Sequence, residues 1–158
     1  GSPHLRNAGG VATLDVSPTT ERTMYATLRQ KISAESAERK LDYDRFEIAC
    51  AEAHAIGTEA VTASTPTPMV VQDQSGKQYF VEGGVCGFAW VHVPKGTSRF
   101  ARWLSKTNRG GRSYYGGVDI RSGQRDQSME RAEAYCRAYA LHLVTALGVE
   151  CYMQSRID

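Results

Sequence analysis

The chain has 158 residues, 41% of them hydrophobic and 23% charged, with a formal net charge of +2. Such a composition fits one globular domain and excludes collagen-like repeats and wholesale disorder. No run approaches the roughly eighteen apolar residues that mark a membrane-spanning helix, and a chain of this length buries about two thirds of its unfolded surface without help from disulfides.

Residues 1–10 are glycine-rich and aperiodic, which predicts a flexible tail, and Gly1-Ser2 reads as a tag-cleavage scar. A single domain is expected over 11–158. Val11 to Val16 has the pattern of a short strand. Ser17-Pro18 opens a helix, a capping side chain followed by proline at the first helical position. Met24, Leu28 and Ile32 then recur every four residues and predict an amphipathic helix over about 18–39. Asp44 and Glu47 form an acidic capping box for a second, alanine-rich helix to about Ala63, with Ala49, Ala53, Ala60 and Val61 on its narrow apolar face. The prolines of Thr65-Pro66-Thr67-Pro68 end it.

Strands are expected at Met69–Val71, at Gln78–Glu82 and at Cys86–Val93, with a turn at Asp73–Gly76. In the third strand Phe88, Trp90 and His92 alternate with Gly87, Ala89 and Val91. Both faces are largely apolar, which places it in the middle of a sheet. Thr97 or Ser98 caps a short helix with Phe100, Trp103 and Leu104 on one side, and Asn108–Arg112 reads as a loop. Tyr114–Ile120 has strand character interrupted by Gly116-Gly117, a doublet that marks a bulge or a close approach. A long helix over 128–147 starts at Ser128 and stops at Gly148, with Met129, Ala132, Cys136, Tyr139, Leu143 and Leu147 as its buried stripe. Val149–Met153 is a last strand. This order predicts an α+β domain: a mixed or antiparallel sheet of about four to five strands, with the long C-terminal helix and the N-terminal helices packed on it.

The cysteines, Cys50, Cys86, Cys136 and Cys151, include no C-x-x-C pair, so zinc-ribbon and thioredoxin-like chemistry are unsupported. All four sit among small or apolar neighbours and read as buried, reduced thiols. With no apolar leader behind His4, they indicate a cytoplasmic protein. Cys86 and His92, six residues apart on one strand, lie about 20 Å from each other at roughly 3.3 Å per residue and cannot act as nucleophile and base. Cys50 and His54 are one helical turn apart and read as a core pair. No phosphate-loop or dinucleotide motif occurs. No catalytic residue, metal or cofactor is assigned.

Thr65-Pro66-Thr67-Pro68-Met69, Gly84-Val85-Cys86-Gly87-Phe88-Ala89-Trp90-Val91 and Ser98-Arg99-Phe100-Ala101-Arg102-Trp103-Leu104 form a series with Tyr115-Gly116-Gly117, Gln127-Ser128 and Gln154-Ser155-Arg156. The series resembles a group of small uncharacterised proteins of tailed bacteriophages and prophages, over about residues 45–158. The resemblance implies action in the cytoplasm of an infected or lysogenic bacterium. It implies no reaction and no site residues.

Charge singles out one segment. Residues 1–79 carry 8 Lys/Arg against 10 Asp/Glu, residues 80–158 carry 11 against 7, and residues 95–137 carry ten against four. Within it Arg99, Arg102, Lys106, Arg109 and Arg112 interleave with Trp103, Tyr114 and Tyr115. Mobile cations meet phosphates and aromatic faces stack bases, so these eight residues are the candidate site for nucleic acid or a nucleotide. The competing reading takes Phe100, Trp103 and Leu104 as core and the basic edge as merely solvated. A nucleotide cavity lined by Trp90, Tyr115 and an arginine is a variant of the first reading. The expectation is therefore a non-enzymatic phage accessory protein that binds nucleic acid or a nucleotide through residues 95–125. The alternative is an interaction protein that inhibits or redirects a host protein, with the helix over 44–63 as a packing or self-association surface. A small hydrolase or transferase is the least favoured reading, and no membrane partner is expected.

Overall fold

The computed structural model describes residues 17–124 and 126–158. The strand expected at Val11–Val16 lies outside them. The chain divides into two units, Gly1–Lys40 and Leu41–Asp158. Helix α1 spans Pro18–Ala63 and so runs through the division. One helix stands where two were expected, because Lys40-Leu41-Asp42-Tyr43 contains neither proline nor glycine to stop the first.

In the first unit every described residue is exposed. Met24, Leu28 and Ile32, expected to form a buried face, are 52–59% exposed. Their spacing is helical, but nothing described covers them.

The second unit is an α+β domain. After α1 come strands β1 (Met69–Gln72), β2 (Gln78–Val81) and β3 (Gly87–Val93), helix α2 (Arg99–Lys106), strands β4 (Gly111–Arg112) and β5 (Val118–Arg121), helix α3 (Met129–Leu147) and strand β6 (Tyr152–Ile157). β1 and β2 form an antiparallel hairpin of their own. The other four strands form one antiparallel sheet in the order β4-β5-β3-β6. From β3 onward the chain therefore runs β-α-β-β-α-β with its two halves interleaved, the split β-α-β arrangement. β3 is central, as its two apolar faces predict.

The two helices α2 and α3 are set by their caps. Ser98 Oγ accepts from Ala101 N at 3.1 Å and opens α2; Ser128 Oγ accepts from Arg131 N and opens α3. Gly148, at φ +65°, closes α3 in the left-handed region. One sheet face is covered by these helices. Ala89, Val91 and Val93 of β3 and Val118 and Ile120 of β5 meet Phe100, Trp103 and Leu104 of α2 and Ala132, Cys136, Ala140 and Leu143 of α3 in one buried cluster. α1 adds Phe46, Ala49, Cys50 and Ala53. The Phe46 ring meets Phe100 edge-on at 5.1 Å and Trp103 at 5.5 Å. Gly57 lets α1 approach α3: a Cβ there would stand 2.7 Å from the Tyr135 ring.

Gly111–Arg112, expected as part of a loop, form β4, and three further expectations are corrected. Residues 114–117 are a turn, not strand, and β5 begins at Val118. Gly117, at φ +79°, passes so close to β3 that a Cβ would lie 2.3 Å from Val93 O, whereas Gly116 faces open space. The last strand is displaced to Tyr152–Ile157, where it pairs with β3 from His92↔Tyr152 to Gly87↔Ile157. Finally, Cys86 is exposed, contrary to the expectation for all four thiols. It precedes β3 and forms an isolated bridge with Ser128 at the sheet's end rather than entering the core.

Candidate functional site

Within the second unit, the described residues place no helix on the other face of the four-stranded sheet. The alternation of β3 directs Phe88, Trp90 and His92 to it. Pairing aligns Trp90 with Arg121 of β5 and Gln154 of β6, His92 with Asp119 and Tyr152, and Phe88 with Arg156. Phe88 and Trp90 thus lie along the sheet centre, each beside an arginine of a neighbouring strand, while His92 is buried between Asp119 and Tyr152.

Local contacts hold this surface in place. Trp90 Nε1 donates to Gln154 Oε1 at 3.0 Å, fixing the indole across two strands. The Arg156 guanidinium lies 5.3 Å from the centre of the Phe88 ring, a cation–π contact. His92 Nδ1 and Asp119 Oδ1 are 2.6 Å apart, and the Tyr152 ring meets His92 edge-on at 5.4 Å. Beyond β4, the turn at 113–117 raises Tyr114 and Tyr115, both 91% exposed, with their rings edge-to-face at 4.9 Å. Face and turn together wall an open cavity of about 1270 Å³, whose lining includes Phe88, Trp90, Arg112, Tyr115, Arg121 and Arg156.

Its charged lining is net positive by one. The lining contains Arg112, Arg121 and Arg156 against Asp119 and Asp126. Both carboxylates are engaged: Asp119 with His92, and Asp126 with Arg131 Nη1 at 3.2 Å and Ser128 N at 3.0 Å. Arg112 and Arg121 form no ion pair among the described residues.

The eight residues singled out in the sequence divide between the two sides of the domain. Arg112, Tyr114 and Tyr115 line the cavity. Arg99, Arg102, Trp103, Lys106 and Arg109 belong to α2 and its C-terminal turn, on the helix side. Trp103 is 4% exposed, part of the core, and its ring is closed to a base. Arg99 pairs with Asp42, and Arg109 lies 4.5 Å from the Trp103 ring centre while bonding Glu47 Oε1 at 3.3 Å. Lys106 Nζ sits 5.9 Å over the Tyr43 ring. These side chains clamp α1 to α2; Arg102 remains exposed. Phe88, Arg121, Gln154 and Arg156 line the same cavity and were not singled out in the sequence. The signal was alternation: each occupies the same sheet face once the register is known.

Cys50, Cys136 and Cys151 are committed to packing. His54 Nδ1 is 2.6 Å from Tyr135 Oη, so it does not pair with Cys50. Burial raises the Cys50 thiol and pushes Cys136 and Cys151 up to about 11, so all three stay protonated at neutral pH. Among the described residues no three His, Cys, Asp or Glu side chains gather as a metal site, and no helix is long and apolar enough to cross a membrane.

Comparison of the chain with protein-family models, with curated proteins and with solved structures gave no match.

Proposed function

We propose that this protein binds single-stranded nucleic acid on the open face of its four-stranded sheet. Unpaired bases stack on Phe88, Trp90, Tyr114 and Tyr115, and phosphates meet Arg112, Arg121 and Arg156. The observation that carries the reading is the aromatic row on β3 between arginines of β5 and β6, beside a turn that exposes two tyrosines. Stacking on such a platform requires unpaired bases, which favours single strands over duplex. The cavity volume of about 1270 Å³ exceeds the roughly 300–1,000 Å³ usual for one small ligand, so a strand fits better than a lone nucleotide. The phage setting implied by the sequence resemblance belongs to the same proposal.

Three arginine–phosphate contacts on a single strand give a slope of about −2 in log affinity against log salt, or about 20-fold weaker binding between 50 and 200 mM salt. Fluorescence anisotropy of labelled single-stranded RNA, single-stranded DNA and duplex DNA at those two concentrations tests this. Binding of either single strand in preference to duplex, with that salt dependence, is expected. Absence of binding at the lower salt refutes the reading.

A second reading, a protein partner, is supported by the β1–β2 hairpin. Val70 and Phe80 are paired and 61% and 65% exposed, and Val71 and Tyr79 are paired and 40% and 45% exposed. A host-protein interaction on these residues would be lost in Val70→Ser/Phe80→Ser and would leave oligonucleotide binding unchanged.

A further inference from the structure

The two edges of the four-stranded sheet are unlike. Among the described residues, β4 is two residues long and offers little to another strand, and β6 is six residues long and has no strand on its outer side. Natural sheets shield a long edge with proline, lysine, a bulge or a covering element. β6, Tyr152-Met153-Gln154-Ser155-Arg156-Ile157, contains neither proline nor lysine; its one charged side chain, Arg156, lies against the Phe88 ring, and Ile157 is 68% exposed.

The direction of its free backbone groups follows from one bond. Asp158 N donates to Cys86 O at 3.1 Å, extending the β3–β6 register by one pair. Hydrogen-bonded and non-bonded pairs alternate along an antiparallel ladder. Tyr152, Gln154 and Arg156 therefore turn their N–H and C=O groups toward β3. Met153, Ser155 and Ile157 turn theirs outward, away from the sheet.

We infer that this edge pairs with the same edge of a second copy of the chain, antiparallel about a two-fold axis through Ser155. In that register Ser155 faces the second Ser155, and Met153 faces the second Ile157 on both sides of the axis. All three outward residues fall in hydrogen-bonded pairs, so six backbone bonds form. The central serines sit between two Met–Ile cross-strand pairs, both favourable neighbours. Gln154 stands opposite the second Arg156, so the arginines do not oppose each other. The sequence is thus self-complementary in the one register that uses every free group, as an isologous interface requires. The product is a continuous eight-stranded sheet with both open faces on one side. This inference rests on the edge of β6 and is independent of what the open face binds.

Sedimentation velocity of the full chain tests it, with the expected mass twice 17.4 kDa. Ser155→Pro removes one outward N–H and leaves the bonds of β6 to β3 intact, since proline is tolerated on an edge strand. It is expected to return the mass to that of one chain with an unchanged circular dichroism spectrum. A monomeric wild type overturns the inference, and so does a folded Ser155→Pro variant that remains a dimer. Should that variant fail to fold, Ser155→Cys in a Cys86→Ser background decides. Facing Cα atoms of a hydrogen-bonded pair lie about 5.5 Å apart, within the span of a disulfide. Mild oxidation should give a covalent dimer that Cys86→Ser alone does not give, and failure to cross-link overturns the inference.

Discussion

Phe88 and Trp103 distinguish the two sides of the domain, and replacing each with alanine separates binding from stability. Trp103 is 4% exposed and packed against Phe46 and Phe100. Truncation of such a ring costs about 3–5 kcal/mol. Phe88 is 49% exposed on a face where the described residues of its unit place no helix. Half of the roughly 1.5–3 kcal/mol for full burial puts its stability cost at about 1 kcal/mol. As a stacking platform, however, its loss removes about 1–3 kcal/mol of binding per base, or roughly 5- to 150-fold in affinity. Urea unfolding gives the first quantity, and anisotropy with a single-stranded oligonucleotide, corrected for the folded fraction, gives the second. Phe88→Ala should bind weakly and remain nearly as stable; folded Trp103→Ala should bind normally and be much less stable. The reverse pattern would return the binding site to α2 and refute the assignment to the sheet face.

Other positions make separate predictions. Gly117→Ala should destabilise the domain by more than the roughly 1–3 kcal/mol of a strained backbone, since its Cβ would meet Val93 O at 2.3 Å; Gly116→Ala, which faces open space at φ +95°, should incur only the strain. Thermal melts of the two variants should therefore differ, and equal melts would contradict the close approach. A thiol reagent at neutral pH should modify Cys86 alone in the native protein and all four cysteines in denaturant, because burial holds Cys136 and Cys151 near 11 and raises Cys50. Rapid native labelling of a second thiol would be inconsistent with this. Stability should fall as pH rises above about 9. The folded-state thiols of Cys136 and Cys151 are raised from 9.0 to about 11, and the Tyr135 hydroxyl from 10.0 to about 12. The unfolded chain then releases protons first, so stability present below pH 9 is lost as pH climbs through 9–12. A flat denaturation midpoint across that range would refute the burial of these groups.

Elements with local punctuation were legible in the sequence. Ser128 and Gly148 bounded α3, Ser98 opened α2, and alternating apolar residues marked β3 as central. What was not legible depended on pairing over distance. The two residues of β4 have no pattern of their own and become strand only beside Val118 and Asp119. β6 lies beyond the apolar run that drew attention to residues 149–153, because its partner β3 selects the register. The site was partly legible for the same reason. Basic–aromatic interleaving pointed to Arg112, Tyr114 and Tyr115, which line the cavity, yet also drew in Trp103, whose spacing suits a buried helix face equally well. Arg121 and Arg156 look isolated in the chain, and only the sheet brings them to Trp90 and Phe88.

The most direct test of the sheet-face account uses the two tryptophans. Each gives one indole N–H resonance in a nitrogen–proton correlation spectrum, Trp90 from the open face and Trp103 from the core. Titration with a single-stranded oligonucleotide at low salt should shift the Trp90 signal progressively and leave that of Trp103 in place. A shift confined to Trp103, or no shift of either signal, would contradict binding at the sheet face.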